Sequence, residues 1–212
     1  MSIRDERKQQ SRQALLDAAL TLSTSGRSFS SISLREVARE VGLVPTAFYR
    51  HFQDMDELGK ELVDQVSLYL KHVLHQLGQG LAHPEAKTKA SMDVFFAAVE
   101  QNPQQWIFMI AERWGGSELV RRAIALEIDF LNSDLANDLK KFEIIKNFKQ
   151  EDDLKILTNI LINLSFTWAM SWISLARQYS GIELELQKMV LIKQTVTQIR
   201  LIFKGIENWE AP

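Results

Sequence analysis

The sequence predicts an all-α protein, and three observations carry that reading. Apolar residues recur at helical spacings along most of the chain, no run alternates as a half-buried strand does, and the 212 residues include only four prolines. Breaks are expected at Gly26, at Gly42 with Pro45, at residues 78–86 (GQGLAHPEA), at Pro103, at Gly115 with Gly116, in the mixed-charge residues 143–153 and at Gly181. An apolar content of 46% is enough for a substantial core. The chain has no cysteine, which excludes disulfides, thiolate-bound zinc and thiol nucleophiles. Its start, MSIRDERKQQSR, lacks the apolar core of a signal peptide, so the expected location is the cytoplasm. Charge is uneven: residues 1–52 hold 8 Lys/Arg against 5 Asp/Glu, net +3, and the remainder hold 17 against 22, net −5. A basic excess of that size describes an ordinary solvated surface as well as a nucleic-acid site.

The first element is a helix over residues 9–24 with Leu15, Ala18, Ala19 and Leu22 inward. The second begins at Ser33, where Ser33 and Glu36 have capping-box spacing, and Leu34, Val37, Ala38 and Val41 mark its buried side. Gly42 suits the left-handed residue just past a helix end. Pro45 drives Val44 out of helical conformation and fits the first turn of the next helix, which therefore starts in a new direction. Ala38 and Gly42, both small and four apart, let two helices cross closely, as a helix-turn-helix requires. At about 100° per residue, Phe48 and Phe52 share one face of the short second helix, Thr46 and Arg50 point away, and Ala47, Tyr49 and His51 lie on the flanks. Such a helix can read a major groove. Arg50 has donors for two guanine acceptors, Ala47 or Thr46 can meet a thymine methyl, and Tyr49 and His51 can bond phosphates. Ser33, Arg35 and Lys60 complete the DNA-binding candidates. The alternative is a solvated face on an ordinary helical hairpin.

The stretch LREVAREVGLVPTAFYRHFQDMDEL resembles the DNA-binding segment of the TetR family of transcriptional regulators, whose signature includes an aromatic, Tyr, any residue, His, Phe string; here that string is Phe48 to Phe52. The resemblance covers roughly residues 7–60. It implies a helix-turn-helix domain over residues 1–53, a larger helical ligand-binding and dimerisation domain over residues 54–212, and a homodimer on an inverted-repeat operator in double-stranded DNA. SLREVARE, PTAFYRHF and DELG, with ERWGGSELVRRAIALEIDF at residues 112–130, are similar to the FabR/DesT-type members that regulate unsaturated fatty-acid synthesis. That likeness implies a long-chain acyl-CoA or acyl carrier protein thioester as effector, the unsaturated form favouring DNA binding and the saturated form opposing it. A repressor of an efflux or other operon, sensing a different hydrophobic molecule, is the alternative. Gln53 and Met55 stand where many members carry lysines, which shifts phosphate contacts toward Arg4, Arg7, Lys8, Arg12 or Lys60.

From Asp54, with Glu57 as capping partner, a long helix carries Leu58, Leu62, Val66, Tyr69, Val73 and Leu77 along one side and is the natural lever between the reading head and a distant ligand. His72 and His75 have metal-binding spacing but no third ligand near them in the sequence, so no metal is expected. Phe95, Phe96, Val99, Trp106, Met109, Ile110, Trp114, Phe130, Phe166 and Met170 are candidates to line a long apolar effector cavity, with Arg113 at its edge, and Arg121 or Arg122 beside it, to meet a polar head group. Ordinary core packing accounts for the same residues. Residues 156–176 hold 21 uncharged residues, but Thr158, Asn159, Asn163, Ser165, Thr167, Ser171 and Ser174 form a polar stripe and Trp168 and Trp172 sit mid-segment. A buried helix is expected there rather than a membrane span. Met189, Ile192, Val196, Ile199, Phe203 and Ile206 are spaced 3, 4, 3, 4, 3, a helix-packing seam. The resemblance assigns it to the dimer interface; the same spacing also serves within a monomeric bundle. The sequence has no phosphate loop and no nucleophile with a positioned His and Asp, so neither catalysis nor a cofactor is expected. Two further classes stay open: an all-α enzyme using Glu112 and Arg113 as its polar pair, and an architectural DNA-binding dimer without a ligand.

Overall fold

The computed structural model describes residues 3–81, 85–142, 151–207 and 209, and every regular element among them is helical. They are α1 (Ile3–Thr24), a 3₁₀ turn (Phe29–Ser31), α2 (Leu34–Glu40), α3 (Pro45–Phe48), α4 (Met55–Leu81), α5 (Glu85–Gln101), α6 (Pro103–Glu112), α7 (Glu118–Leu139), α8 (Glu151–Gln178) and α9 (Gly181–Glu207). The breaks at Gly26, Gly42, Pro103, Gly115 and Gly181 fall where the sequence puts them. Residues 82–84 and 143–150, within two other expected breaks, lie outside the described residues. Helix α1 begins six residues before the expected start because its charged opening contains no breaker, and Asp5 and Glu6 in its first turn complement the helix dipole. Leu15, Leu16, Ala18 and Ala19 are its buried apolar side chains; Leu16 does what was expected of Leu22, which is only half-buried.

The described chain forms two compact units. The first comprises Met1–Leu68 and Ile107–Glu127, the second Tyr69–Trp106 and Ile128–Pro212. The first half of α4, as far as Leu68, belongs to the first unit. Leu58, Leu62 and Val63 of α4 are buried with Val37, Ala38, Phe48 and Phe52, and Phe108 of α6 meets Phe29 edge-on at 6.3 Å. Segments distant in sequence thus complete the first core.

The second unit is built on aromatic packing. Phe96 stacks on Trp172 with centroids 4.3 Å apart, Phe95 meets Trp106 edge-on at 5.3 Å, and Trp106 meets Phe166 at 6.4 Å. Helix α8 is long and apolar enough to cross a membrane by length and composition, yet it buries Leu157, Leu161, Phe166, Trp168 and Trp172 inside this unit. Trp168 Nε1 donates to Gln198 Oε1 of α9 at 2.7 Å. Ile156 and Ile160 on the same helix are exposed, so one face is core and the other is not. His75, expected to have no acidic neighbour, contacts the Asp138 carboxylate at 2.5 Å, and Lys141 Nζ sits 2.7 Å from the same group. That acid comes from α7, 63 residues further along the chain.

Candidate nucleic-acid interface

Ser33 caps α2 as its spacing requires. Its Oγ accepts from the Glu36 N–H at 3.3 Å, and Glu36 Oε2 accepts from the Ser33 N–H at 2.8 Å. The Arg27 guanidinium, 2.9 Å from Glu36, and then the Ser33 hydroxyl and N–H hold that carboxyl down to about 2. At the other end Gly42 takes φ 71°, the Gly42 N–H reaches the Arg39 carbonyl at 3.0 Å, and the Leu43 N–H reaches the Ala38 carbonyl at 2.8 Å. This pair of bonds is a Schellman stop, and its left-handed residue favours glycine. Pro45 then opens α3, and bonds from the Arg50, His51 and Phe52 N–H groups carry helical turns on past Phe48.

Phe48 and Phe52 are buried with centroids 5.6 Å apart, while Thr46, Tyr49 and Arg50 are exposed and Ala47 is half-buried. The inward aromatic pair and the outward polar set lie as the helical wheel requires. Arg35 is exposed one turn before Arg39, and the two flank an open cleft of about 450 Å³ whose wall includes Gly42, Leu43, Val44 and Pro45. Arg39 stands four residues after Arg35 on α2 and is exposed as well. Lys60 and the α1 residues Arg4, Arg7 and Lys8 are exposed.

Arg12 departs from expectation. Its Nε donates to Glu61 Oε1 at 2.8 Å, its Nη2 pairs with Glu61 Oε2, its Nη1 donates to the His51 carbonyl, and its guanidinium lies 4.1 Å from the Phe52 ring centroid. A guanidinium so engaged ties α1 to α4 and is not presented to phosphate. His51 is half-buried, with Nδ1 enclosed and without a partner among the described residues. Burial, and then the charges of Arg12, Lys8 and Arg50, push the imidazole below its ordinary value. That direction favours the neutral ring, and Nε2 is its remaining polar edge. Ser33 Oγ is engaged with Glu36.

Of the effector candidates, Phe95, Phe96, Val99, Trp106 and Phe166 are buried in the second unit and Met170 is half-buried there. Met109, buried, and Ile110 and Arg113, both partly exposed, belong to the first. Trp114, 81% exposed, and Phe130, 61% exposed, stand at the surface of the described chain. The Arg113 guanidinium lies over the Trp114 ring at 5.6 Å, and Arg121 donates to the Gly115 carbonyl at 2.5 Å. Glu112 is 1% exposed, and its carboxyl accepts from the Phe29 N–H at 2.7 Å. Within the second unit, Trp106 Nε1 and the neighbouring Gln105 Oε1 are enclosed without partners among the described residues.

The expected dimer seam is divided. Ile199 and Ile206 are 1% and 4% exposed within a single chain, so they are protomer core, and Ile192, Val196 and Phe203 are half-buried. The outward apolar side chains of α9 are Ile182, Leu186, Met189, Val190 and Leu201. Helical spacing alone cannot say which neighbour a stripe faces.

A capped helix, a glycine stop and a proline-led helix with outward Thr46, Tyr49 and Arg50 define a helix-turn-helix of the DNA-binding class. Residues 15–62 match the family model for bacterial regulatory proteins of the tetR family, and residues 84–199 match the tetracyclin repressor-like C-terminal domain. The chain belongs to the TetR family. It is a transcriptional regulator of the DNA-binding repressor type, in a family that is in general non-enzymatic and whose members bind DNA operators and effectors and dimerise. Its fold is similar to that of the fatty acid degradation regulator FadR from Bacillus halodurans, at TM-score 0.58 and 11% identity over 92% of this chain and 93% of that one. It is also similar to a transcriptional regulator (TerR/AcrR family) from Aquifex aeolicus, at TM-score 0.58 and 16% identity over 90% and 98%. A third similar fold is that of the TetR family regulator PfmR from Thermus thermophilus, at 0.51 and 18% over 100% and 99%.

Proposed function

We propose that this regulator is a cytoplasmic homodimer that represses fatty-acid genes from an inverted-repeat operator and responds to a long-chain acyl thioester, acyl-CoA or acyl carrier protein. Arg50 and Thr46 read base edges, Tyr49 and His51 Nε2 meet phosphates, and Arg35, Arg39 and Lys60 add backbone contacts. The observation that carries effector binding is the Trp106 indole N–H, buried among Phe95 and Phe166 and without an acceptor among the described residues. A buried donor left unpaired costs free energy that an acceptor on a ligand recovers, and a thioester carbonyl at the head of an apolar chain is such an acceptor. The FabR/DesT-like wording of residues 33–59 and 112–130 points to the same ligand class. The solved structure described as a fatty acid degradation regulator has that function in its own organism, and its likeness here is one of fold.

A bent cis chain and a straight chain cannot fill one close-packed space equally, so each favours a different setting of the protein. The balance moves only by the difference in their affinities for the two settings, about 1 to 3 kcal/mol. The test is operator binding titrated with oleoyl and stearoyl thioesters at fixed salt. Opposed shifts are expected. Identical curves beside a clear response to a planar aromatic cation would replace acyl sensing with the efflux-type reading.

A further inference from the structure

We infer that Glu112 is a positioning residue for DNA reading: its carboxyl holds the Phe29 N–H, and through it the turn from which the reading head starts. This rests on residues 33–52 being that head. The bond spans 83 residues of sequence at 2.7 Å. Only Ser30, Ser31 and the buried Ile32 separate Phe29 from the Ser33 cap, so a displacement of Phe29 reaches α2 with little slack.

Phe108, Gly59, Gly115 and Gly116 approach the turn closely, while its other side, with Phe29, Ser30 and Ile32, lines an open cleft of about 660 Å³. The Phe29 ring, 2% exposed, meets Phe108, one turn before Glu112 on α6. A Cβ on Gly59 of α4 would stand 2.9 Å from that ring, one on Gly116 would overlap Ser30 Oγ, and one on Gly115 would overlap Glu112 Oε2. Absent side chains at these three points let α4 and the α6–α7 link close on the turn. A carboxyl is a costly way to fill such a space. Its Oε2 is enclosed without a partner among the described residues, and burial pushes its pKa up against the pull of the Phe29 bond. Core filling alone is served better by leucine or methionine, whereas holding one backbone N–H needs an acceptor there. Six residues before Glu112, the same helix carries Trp106, whose unpaired indole N–H marks the proposed effector contact.

The experiment compares Glu112→Gln, Glu112→Asp and Glu112→Ala in the full chain on a duplex selected by the wild type from a random library. Gln keeps the acceptor and should bind as the wild type does. Asp withdraws the carboxyl by one methylene and Ala deletes it, and both should lose about fivefold or more of their preference for the selected duplex over random DNA while remaining folded. Hydrogen exchange at the Phe29 amide should quicken in Asp and Ala and not in Gln, with the α1 core amides unchanged. Retained preference in Asp and Ala, an equal loss in Gln, or unfolding of both Asp and Ala would overturn the inference, the last because the contact would then be a folding contact. A wild type that selects no sequence would instead remove the DNA-reading head, an outcome separate from any ranking of the variants.

Discussion

Replacing Arg12 separates two roles that the sequence alone could not. As a phosphate ligand it would contribute to DNA affinity through counterion release; as the structure has it, the side chain is a strut between α1 and α4. Three contacts set the size of the effect. The fork on Glu61 joins side chains that are 32% and 35% exposed, so solvent screens it and it contributes about 1 kcal/mol. The bond to the His51 carbonyl has a charged donor and contributes about 1 to 2 kcal/mol. The guanidinium over Phe52 at 4.1 Å contributes about 1 kcal/mol. One group makes all three, so the parts do not add fully, and Arg12→Met should destabilise this unit by about 2 to 3 kcal/mol. For a chain of this length that lowers Tm by about 4 to 12 °C. Arg12→Lys keeps the charge but not the fork or the planar stack, so it should lose most of the same stability. Calorimetry gives Tm, and DNA titrations below the melting range give the slope of log affinity against log salt. That slope should stay as in the wild type. A slope shallower by about 0.9 for Arg12→Met, with Tm unmoved, would show that Arg12 is a phosphate contact and that the strut is wrong.

Arg50→Ala should cost about 1 to 3 kcal/mol on the specific duplex and little on random DNA, whereas Lys60→Ala should weaken both and reduce the salt slope; equal losses for Arg50→Ala on both would end its base-reading role. The Glu36 cap gives a pH prediction. Its folded pKa, about 2, lies below the ordinary 4.5, so its contribution is complete above pH 4.5 and is lost as pH falls toward 2. The Tm gap between wild type and Glu36→Gln should therefore be flat at neutral pH and close between those limits, and a gap that stays constant down to pH 2 would contradict the assignment. On α9, Ile199→Asp should unfold the protomer because it buries a charge in the core, while Leu186→Asp or Leu201→Asp should leave it folded and shift sedimentation from dimer to monomer. Folded, dimeric Leu186→Asp and Leu201→Asp would place the interface elsewhere.

What the sequence determined by itself was mostly local. Ser33 with Glu36, Gly42 before Pro45 and the Phe48–Phe52 spacing act within one or two turns, where backbone geometry and neighbouring side chains decide conformation, and each is found as read. The helical class and most of its breaks follow for the same reason, and the family likeness rested on these same residues. Tertiary structure decided every matter that turned on a partner remote in the chain. Arg12 is turned inward because Glu61 and the His51 carbonyl await it; Asp138 comes to His75 from α7; Ile199 and Ile206 became core while Leu186 and Leu201 did not. Trp114 and Phe130 are apolar yet exposed, because apolar identity says that a side chain gains from burial, not that a neighbour is there to bury it. Glu112 shows the same limit from the other side. Nothing within four residues marks it as buried, and its meaning comes from an N–H 83 positions away that only the folded chain brings to it.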